Sequence, residues 1–227
     1  MSNYSLLQET LLRPRDQSDL FMDPIITTNI NFHQIIDQQL ANIGSSHEMI
    51  ILEPQCKDTG PAITTALLMA LKKHGPQQII SIFPADHYFL NFSNVAHIMR
   101  SIVRDLYSCV FKDGSSGCLD DSIITFGVKP NEPDNEQYGY VHKGDPVHHA
   151  ISNNDNRDGA SKASISDHVF HARHFLEKPK KHTAKKLTKS GKFLWNMGIY
   201  MGSVECFLRK IRLYSYDTYA ICDQAIK

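Results

Sequence analysis

Apolar and polar positions up to residue 90 follow two periods, which predict helices and strands in turn. Leucines recur on one side of residues 5–12 at helical spacing, whereas residues 49–54 and 78–86 are mainly apolar runs. Such runs are typical of parallel strands buried on both faces. The predicted strands are 24–29, 49–54 and 78–86, and the predicted helices are 5–12, 32–44 and 61–74. This alternation predicts an α/β fold, in which helices cover both faces of a parallel sheet.

Two of these helices carry sequence signals at their ends. Gly44 follows the second helix at the position where a left-handed residue commonly ends a helix. Pro61 opens the third helix, and Lys72 and Lys73 lie in its last turn, where positive charge suits the helix dipole. In the second helix, the residues expected to face the core are Ile35, Ile36, Leu40 and Ile43.

The pattern changes beyond residue 90. Residues 144–164 are rich in Asn, Asp and Ser and poor in large apolar residues, which predicts a long, mobile loop. The remaining predicted strands are 122–128, 169–179 and 193–203, and the remaining predicted helices are 93–107, 183–190 and one that begins at 204–213. We expect a single domain over residues 1–227.

Composition narrows the class of protein. Lys and Arg number 24 and Asp and Glu number 24, so no net charge steers the chain towards nucleic acid or a lipid surface. The lysines from 180 to 192 lack interleaved aromatic residues, which favours a solvated helix face over a nucleic-acid site. No apolar run is long enough to span a membrane. Five cysteines without a CxxC pair indicate a reducing, cytoplasmic location.

The first candidate for chemistry is Asp86, which ends a predicted buried strand. Ligands of parallel sheets bind at the carboxyl ends of the strands, and Mg²⁺ prefers one or two carboxylates together with phosphate oxygens. Asp86 is therefore placed to hold Mg²⁺, or else it caps the following segment.

A second candidate is the turn of residues 53–62, between a predicted strand and a helix N-terminus. Unpaired backbone N–H groups and the positive end of the helix dipole favour an anion there. Glu53 could accept hydrogen bonds from a guanine, and Thr59 could contact a ribose. The alternative is a loop in which Asp58 or Thr59 only caps the helix.

Polar residues later in the chain also allow a functional and a structural interpretation. Glu177 could accept from sugar hydroxyls and Lys178 could hold a phosphate, or the two could form a surface ion pair. His168, His171 and His174 are spaced three apart on a predicted strand, so successive rings point to opposite faces and do not converge on a zinc ion.

Taken in order, several blocks resemble those of bacterial mannose-1-phosphate guanylyltransferases, from Ser5 to the end of the chain. The blocks are SLLQETLLR, LEPQCKDTGPAI, FPADH, ITFGVKPNEPDNEQYGYV, FLEKP and FLWNMGIYMG. The resemblance implies a nucleotide-diphospho-sugar transferase fold, which is Rossmann-like and glycosyltransferase-A-like, with three layers and a mostly parallel sheet. It also implies that GTP and mannose 1-phosphate give GDP-mannose and pyrophosphate, with Mg²⁺ as cofactor.

The same resemblance implies roles for particular residues. Asp86 matches the metal-binding and catalytic aspartate of the family. The residues that match the nucleotide block are Glu53, Lys57, Asp58 and Thr59. The residues that match blocks around the sugar phosphate are Gly127, Tyr138, Gly139, Glu177, Lys178 and Asn196.

The chain also departs from the family pattern. We expect it to lack the family's first strand, the glycine-rich loop that wraps the triphosphate, and a second metal-binding aspartate. Asp58 stands where the family usually has Asn, Gly60 where it has Ala, and Glu136–Gln137 where it has Thr-Gly. Asp58 adds negative charge near a polyphosphate.

Two expectations follow from these departures. Because the family's first strand lies in the middle of the sheet, its neighbours would have unpaired edges. Either a neighbouring strand closes the sheet or the chain pairs with a second copy as a homodimer. For function, the chain is either a working guanylyltransferase or a non-catalytic remnant that binds a nucleotide, a sugar phosphate or a protein.

Overall fold

The computed structural model describes residues 3–15, 17, 19–89, 91–111, 121–133, 135–147 and 169–227. The chain forms two compact units. The first comprises Met1–Arg100, Asp120–Ile123 and Met201–Lys227, and the second comprises Ser101–Leu119 and Ile124–Tyr200.

The first unit opens with a helix that a capping box begins. Ser5 and Gln8 exchange backbone-to-side-chain hydrogen bonds at 3.0 and 3.1 Å at the start of α1 (Leu6–Arg15). Strand β1 (Ile25–Asn29) leads through a short 3₁₀ turn (Ile30–Phe32) into α2 (His33–Ile43). These elements share a small apolar core formed by Leu11, Ile26, Ile36 and Leu40.

The next elements of the first unit are a strand, a long helix and a second strand. Strand β2 (Met49–Glu53) pairs in parallel with β1. Helix α3 (Thr59–His74) follows, and its last residue, His74, binds the carboxylate of Glu48 at 2.8–2.9 Å. Strand β3 (Ile79–Ile82) precedes helix α4 (Ser93–Phe111), which continues into the second unit.

The second unit is built mainly from strands. These are β4 (Ile124–Val128), β5 (Tyr140–Pro146), β6 (Phe170–Leu176) and β7 (Phe193–Ser203), with helix α5 (Lys181–Ser190) before β7. Strand β5 pairs antiparallel with both β6 and β7. Tyr140, Ala184 and Trp195 form a buried cluster between α5 and these strands.

The last three residues of β7 belong to the first unit, as do two further helices. Helix α6 (Val204–Tyr214) begins where the Ser203 hydroxyl accepts a hydrogen bond from the Cys206 N–H at 3.1 Å. Helix α7 (Tyr216–Ala225) follows, and both helices pack on α3.

Several expectations from the sequence are confirmed. Strand β7 has the predicted bounds, and β1 and β2 form the predicted parallel pair. Gly44 ends α2 with φ of 55°, as predicted, and a second left-handed glycine, Gly191, ends α5 with φ of 66°. The α/β fold class is also confirmed, although it combines the parallel β1–β2 pair with antiparallel pairs around β5.

Other expectations were wrong in detail. Ile35 is half exposed, because α2 buries only the narrower face that carries Ile36 and Leu40. The predicted loop of 144–164 begins too early, since Gly144–Pro146 belong to β5. Residues 148–164 of that loop, and His168 of the histidine set, lie outside the described residues.

The described strands form two separate sheets. One contains only β1 and β2, and the other has the order β3-β7-β5-β6, with β4 also paired to β7. Within these sheets β1 pairs only with β2, and β3 pairs only with β7. Among the described residues, the second edge of β1 and the second edge of β3 therefore have no strand partner. A neighbouring strand therefore does not join the two sheets in this part of the chain, and pairing with a second copy stays a prediction.

Candidate active site

The first group of candidate residues begins at the carboxyl ends of β1 and β2. Asn29 and Glu53 are register partners there, and Glu53 is half buried. The Asn29 carboxamide oxygen accepts from the Asn31 N–H at 2.9 Å, and its nitrogen lies 3.6 Å from the Cys56 sulfur. The sequence analysis missed Asn29 and Cys56, although a polar residue at the end of a predicted parallel strand is a usable signal.

The turn after β2 leads into α3 through a strained residue. Asp58 has φ of 65° and ψ of −177°, a conformation found almost only in glycine, and such strain collects at functional sites. Its side chain makes no capping hydrogen bond, and Thr59 is already the first helical residue. The capping alternative is therefore wrong for Asp58, and the structure gives no such bond for Thr59.

All residues from Pro54 to Gly60 are exposed. Within the described part of the chain, the structure shows no hydrogen bond or ion pair for the side chains of Glu53, Lys57, Asp58 or Thr59. The first turn of α3 therefore offers free N–H groups to a ligand, beside one cationic and one anionic side chain.

Asp86 lies in the loop after β3. Its carboxylate is 81% exposed, and one of its oxygens lies 3.7 Å from Nε2 of the His87 ring. It does not cap the next helix, because α4 begins at Ser93, whose N–H donates to the Asn91 carboxamide at 3.0 Å. The carboxylate is thus free for a ligand.

This loop has an aromatic support. Phe83 lies 5.9 Å from both Phe21 and Phe92, and Phe89 lies 5.9 Å from Phe92, measured between ring centres. The rings meet mostly edge to face, the favoured geometry for aromatic pairs. The apolar residues on both sides of Asp86 are therefore anchored, while its carboxylate is exposed.

The Asp86 carboxylate suits Mg²⁺ as a single protein ligand. No three His, Cys, Asp or Glu side chains are grouped to hold a metal ion anywhere in the described ranges. Mg²⁺ commonly binds through one or two carboxylates, with substrate phosphates and water completing the octahedron. One exposed, uncompensated carboxylate fits that type of site.

The second group of candidate residues lies across adjacent strands of the second unit. The N–H of Asn196 donates to the carbonyl of Gly139 at 2.8 Å. On the other side of Gly139, a side chain at that position would place its Cβ 2.8 Å from a carboxylate oxygen of Glu177. Glu177, Gly139 and Asn196 thus form a row, and the glycine leaves room between the two polar side chains.

The carboxamide of Asn196 is held firmly. Its oxygen accepts from the Thr125 hydroxyl at 2.8 Å and from the Gly198 N–H at 3.2 Å, and its nitrogen donates to the Tyr200 hydroxyl at 3.1 Å. One amide hydrogen remains for a ligand. Thr125 and Tyr200 lie within the quoted sequence blocks but were not singled out, because their role depends on contacts between strands.

The other members of this group take two different roles. Tyr138 is partly exposed, with its ring 4.8 Å from that of Trp195. Lys178 has φ of 43° and is exposed, and its ammonium lies 3.8 Å from the Glu177 carboxylate. Gly127 packs on Leu194, where an added Cβ would lie 2.8 Å from the leucine Cβ. Gly127 therefore serves close strand packing, whereas Glu177, Lys178 and Tyr138 are open to a ligand.

The candidate residues fall into two groups by unit. The first unit holds Glu53, Lys57, Asp58, Thr59 and Asp86, and the second holds Gly127, Tyr138, Gly139, Glu177, Lys178 and Asn196. Asp58 and Lys178 are the two non-glycine residues with positive φ in the described ranges, and one lies in each group.

The chain matches a model of the nucleotidyl transferase family over residues 1–227. It belongs to that family. Among curated proteins, it is 28% identical over 224 residues to a mannose-1-phosphate guanylyltransferase of Escherichia coli, covering 98% of this chain and 42% of that protein. It is 26% identical to a putative mannose-1-phosphate guanylyltransferase of Vibrio cholerae, covering 100% of this chain and 41% of that protein.

Solved structures with similar folds come from two further bacteria. A Helicobacter pylori structure titled mannose-6-phosphate isomerase aligns with a TM-score of 0.72 and 18% identity, over 99% of this chain and 72% of that one. A Thermus thermophilus structure titled mannose-1-phosphate geranyltransferase aligns with a TM-score of 0.68 and 19% identity, over 97% and 53%. These alignments confirm the fold. The chain spans about two fifths of the length of its curated relatives.

Among the described helices, none is both long and apolar enough to cross a membrane.

Proposed function

We propose that this nucleotidyltransferase joins GTP and mannose 1-phosphate to give GDP-mannose and pyrophosphate. The observation that carries the proposal is the exposed carboxylate of Asp86, in the loop after β3 whose apolar residues the aromatic cluster anchors. The named guanylyltransferases among its relatives support the choice of substrates.

The residues of the first unit suit a nucleoside triphosphate. Half-buried Glu53 is an acceptor for a guanine, and the free N–H groups of the first turn of α3 suit a phosphate. Lys57 adds a positive charge that no described carboxylate neutralises. Mg²⁺ bound at Asp86 would neutralise phosphate charge, so the protein has mainly to position its ligands.

The residues of the second unit suit a sugar phosphate. Glu177 is a hydrogen-bond acceptor for hydroxyl groups, and Asn196 offers a donor on the other side of Gly139. Lys178 supplies a point charge for phosphate. A phosphate oxygen of the sugar would then attack the α-phosphorus of the nucleotide, and pyrophosphate would leave.

Product analysis tests the proposal. The protein is incubated with Mg²⁺ and each pairing of GTP or ATP with mannose 1-phosphate or glucose 1-phosphate, and nucleotide sugars are separated by chromatography. We expect GDP-mannose as the main product. A preference for another pairing would contradict the substrate choice.

A second candidate function is ligand binding without catalysis. Asp58 favours it, because this carboxylate has no described cation partner and lies at the N-terminus of α3, where it repels a polyphosphate. Calorimetric binding of GDP-mannose without any turnover of GTP and mannose 1-phosphate would select this candidate.

Location and assembly are part of the proposal. The thiols of Cys56, Cys206 and Cys222 are free, which supports a reducing cytoplasm.

The unpaired edges of β1 and β3 support a homodimer, because open strand edges readily pair with another chain. Sedimentation equilibrium tests this point, and a monomer at micromolar concentration would contradict it.

A further inference from the structure

The loop that carries Asp86 has a polar anchor in a distant helix. Arg13, near the end of α1, donates a hydrogen bond from Nη2 to the backbone carbonyl of His87. The centre of its guanidinium also lies 4.6 Å from the centre of the Phe89 ring. One side chain therefore binds both the residue directly after Asp86 and an aromatic residue of the same loop.

The charge of Arg13 is unusually poorly compensated. No carboxylate in the described ranges lies within ion-pair distance, and its Nη1 is buried without a hydrogen-bond partner. Burial lowers the pKa of Arg13, while Glu9 and Tyr88 act in the opposite direction. The side chain stays protonated at neutral pH, and a buried donor without a partner costs stability. A residue that only packs against the loop would not need a buried guanidinium with an unpaired donor.

The loop needs such an anchor because its backbone is irregular. No helix or strand covers the described residues between Ile82 and Ser93, which are 83–89, 91 and 92. Phe83, Phe89 and Phe92 fix its apolar positions, but they do not set the orientation of the peptide after Asp86. The Arg13 hydrogen bond acts on that peptide.

We propose that Arg13 is a positioning residue that fixes the direction of the Asp86 carboxylate towards Mg²⁺. The inference rests on the proposed function for the metal, but the anchoring itself does not need catalysis. It differs from the roles that the resemblance implies, because it joins α1 to the loop after β3.

Three variants test the inference. Arg13→Met keeps an apolar stem over Phe89 but removes the donors and the charge. Arg13→Lys keeps the charge but not the planar fork. The matched control is Arg15→Met, since Arg15 is exposed on the same helix and donates to the Ile43 carbonyl at 2.9 Å, away from the loop.

The first measurement is hydrogen–deuterium exchange of residues 83–89, without metal or substrate. Arg13→Met should speed this exchange roughly tenfold, because a hydrogen bond from a charged donor is lost. Arg15→Met should match the wild type, and Arg13→Lys should fall between. If residues 83–89 exchange at the wild-type rate in Arg13→Met, Arg13 does not anchor the loop. If Arg13→Met fails to fold, wild-type exchange in Arg13→Lys would show the same.

The second measurement is binding of Mn²⁺ alone, followed by electron paramagnetic resonance, with Asp86→Asn as reference. Arg13→Met should lose several-fold in affinity, towards the value of Asp86→Asn. In turnover it should raise the Mg²⁺ requirement and lower kcat, while the KM for mannose 1-phosphate stays constant. Unchanged Mn²⁺ affinity in folded Arg13→Met would overturn the positioning role.

The failure of the inference and of the proposed function are distinguishable. If the wild type makes no GDP-mannose but exchange and Mn²⁺ binding respond to Arg13→Met, the positioning role stands and the catalytic function falls. If the wild type is active and neither readout responds, the inference falls alone.

Discussion

The hydroxyl of Thr125 on β4 donates to the carboxamide oxygen of Asn196 on β7 at 2.8 Å. Because that oxygen also accepts from the Gly198 N–H, the carboxamide has a fixed orientation, with one amide hydrogen left over. The bond therefore couples a residue to which the sequence assigned no role to one that we assign to the sugar phosphate.

Replacing Thr125 with Val should remove this bond without changing side-chain size. We expect a loss of about 1 kcal/mol in the free energy of unfolding, as for a typical hydrogen bond. The KM for mannose 1-phosphate should rise while that for GTP stays constant. The control is Thr125→Ser, which keeps the hydroxyl. If Thr125→Val and Thr125→Ser have the same KM for mannose 1-phosphate, the coupling is contradicted.

Gly139→Ala should damage the row of Glu177, Gly139 and Asn196. The new Cβ would lie 2.8 Å from both a Glu177 oxygen and the Phe175 ring. Overpacking of this kind costs about 1–3 kcal/mol, and it would also displace the carboxylate.

Gly60→Ala is the matched control, because nothing lies within 4 Å of a Cβ there and Gly60 is in a helix. That change should stabilise the protein, by up to about 1 kcal/mol. Denaturant unfolding and sugar-phosphate binding measure both variants. Equal stability and binding would show that the space at Gly139 is not required.

Asp58→Gly should relieve the strain at the start of α3. The conformation of Asp58 costs of order 1–3 kcal/mol in a residue with a side chain, so we expect higher stability from the glycine variant. Asp58→Asn should leave the strain in place but remove the charge. Both variants should bind GTP more tightly than the wild type, as calorimetry would show. Weaker binding in both would mean that Asp58 contacts the nucleotide favourably.

The pairing of Asp121 with Lys210 predicts a response to acid. A hydrogen bond from Lys210 lowers the pKa of Asp121, and the two groups lie 3.0 Å apart. A lowered pKa in the folded state gives stability above the unfolded pKa that is lost as pH falls through the folded value. Melting temperatures of Asp121→Asn and the wild type should differ at neutral pH and converge as the pH falls through the lowered pKa of Asp121. A constant difference across that range would contradict the pairing.

Much of the fold could be predicted where local pattern and final structure agree. Strand β7 has predictable bounds because Gly191 precedes it and helix α6 follows a serine cap. Strand β5 could not be found this way, since YVHKGDP is polar and contains Gly and Pro. Its strand form depends on ladders with β6 and β7, whose residues are distant in sequence.

The sequence predicted which residues of the candidate site belong to motifs, but not the contacts that position them. Asp86 and Glu177 stand in recognisable blocks, but the contacts that hold such residues depend on distant parts of the chain. Arg13 and His87 are 74 positions apart, and Thr125 and Asn196 are 71 apart. The backbone conformation of Asp58 could not be predicted either, because no sequence rule places an aspartate in a conformation that is found almost only in glycine.

Release of pyrophosphate from GTP and mannose 1-phosphate with Mg²⁺, compared between the wild type and Asp86→Asn, tests the central claim most directly. Because the Asp86 side chain is 81% exposed, the variant should keep the melting temperature of the wild type. We predict release by the wild type and a loss of roughly a hundredfold or more in the variant. Equal release by both proteins, or none from folded wild type, would contradict the account.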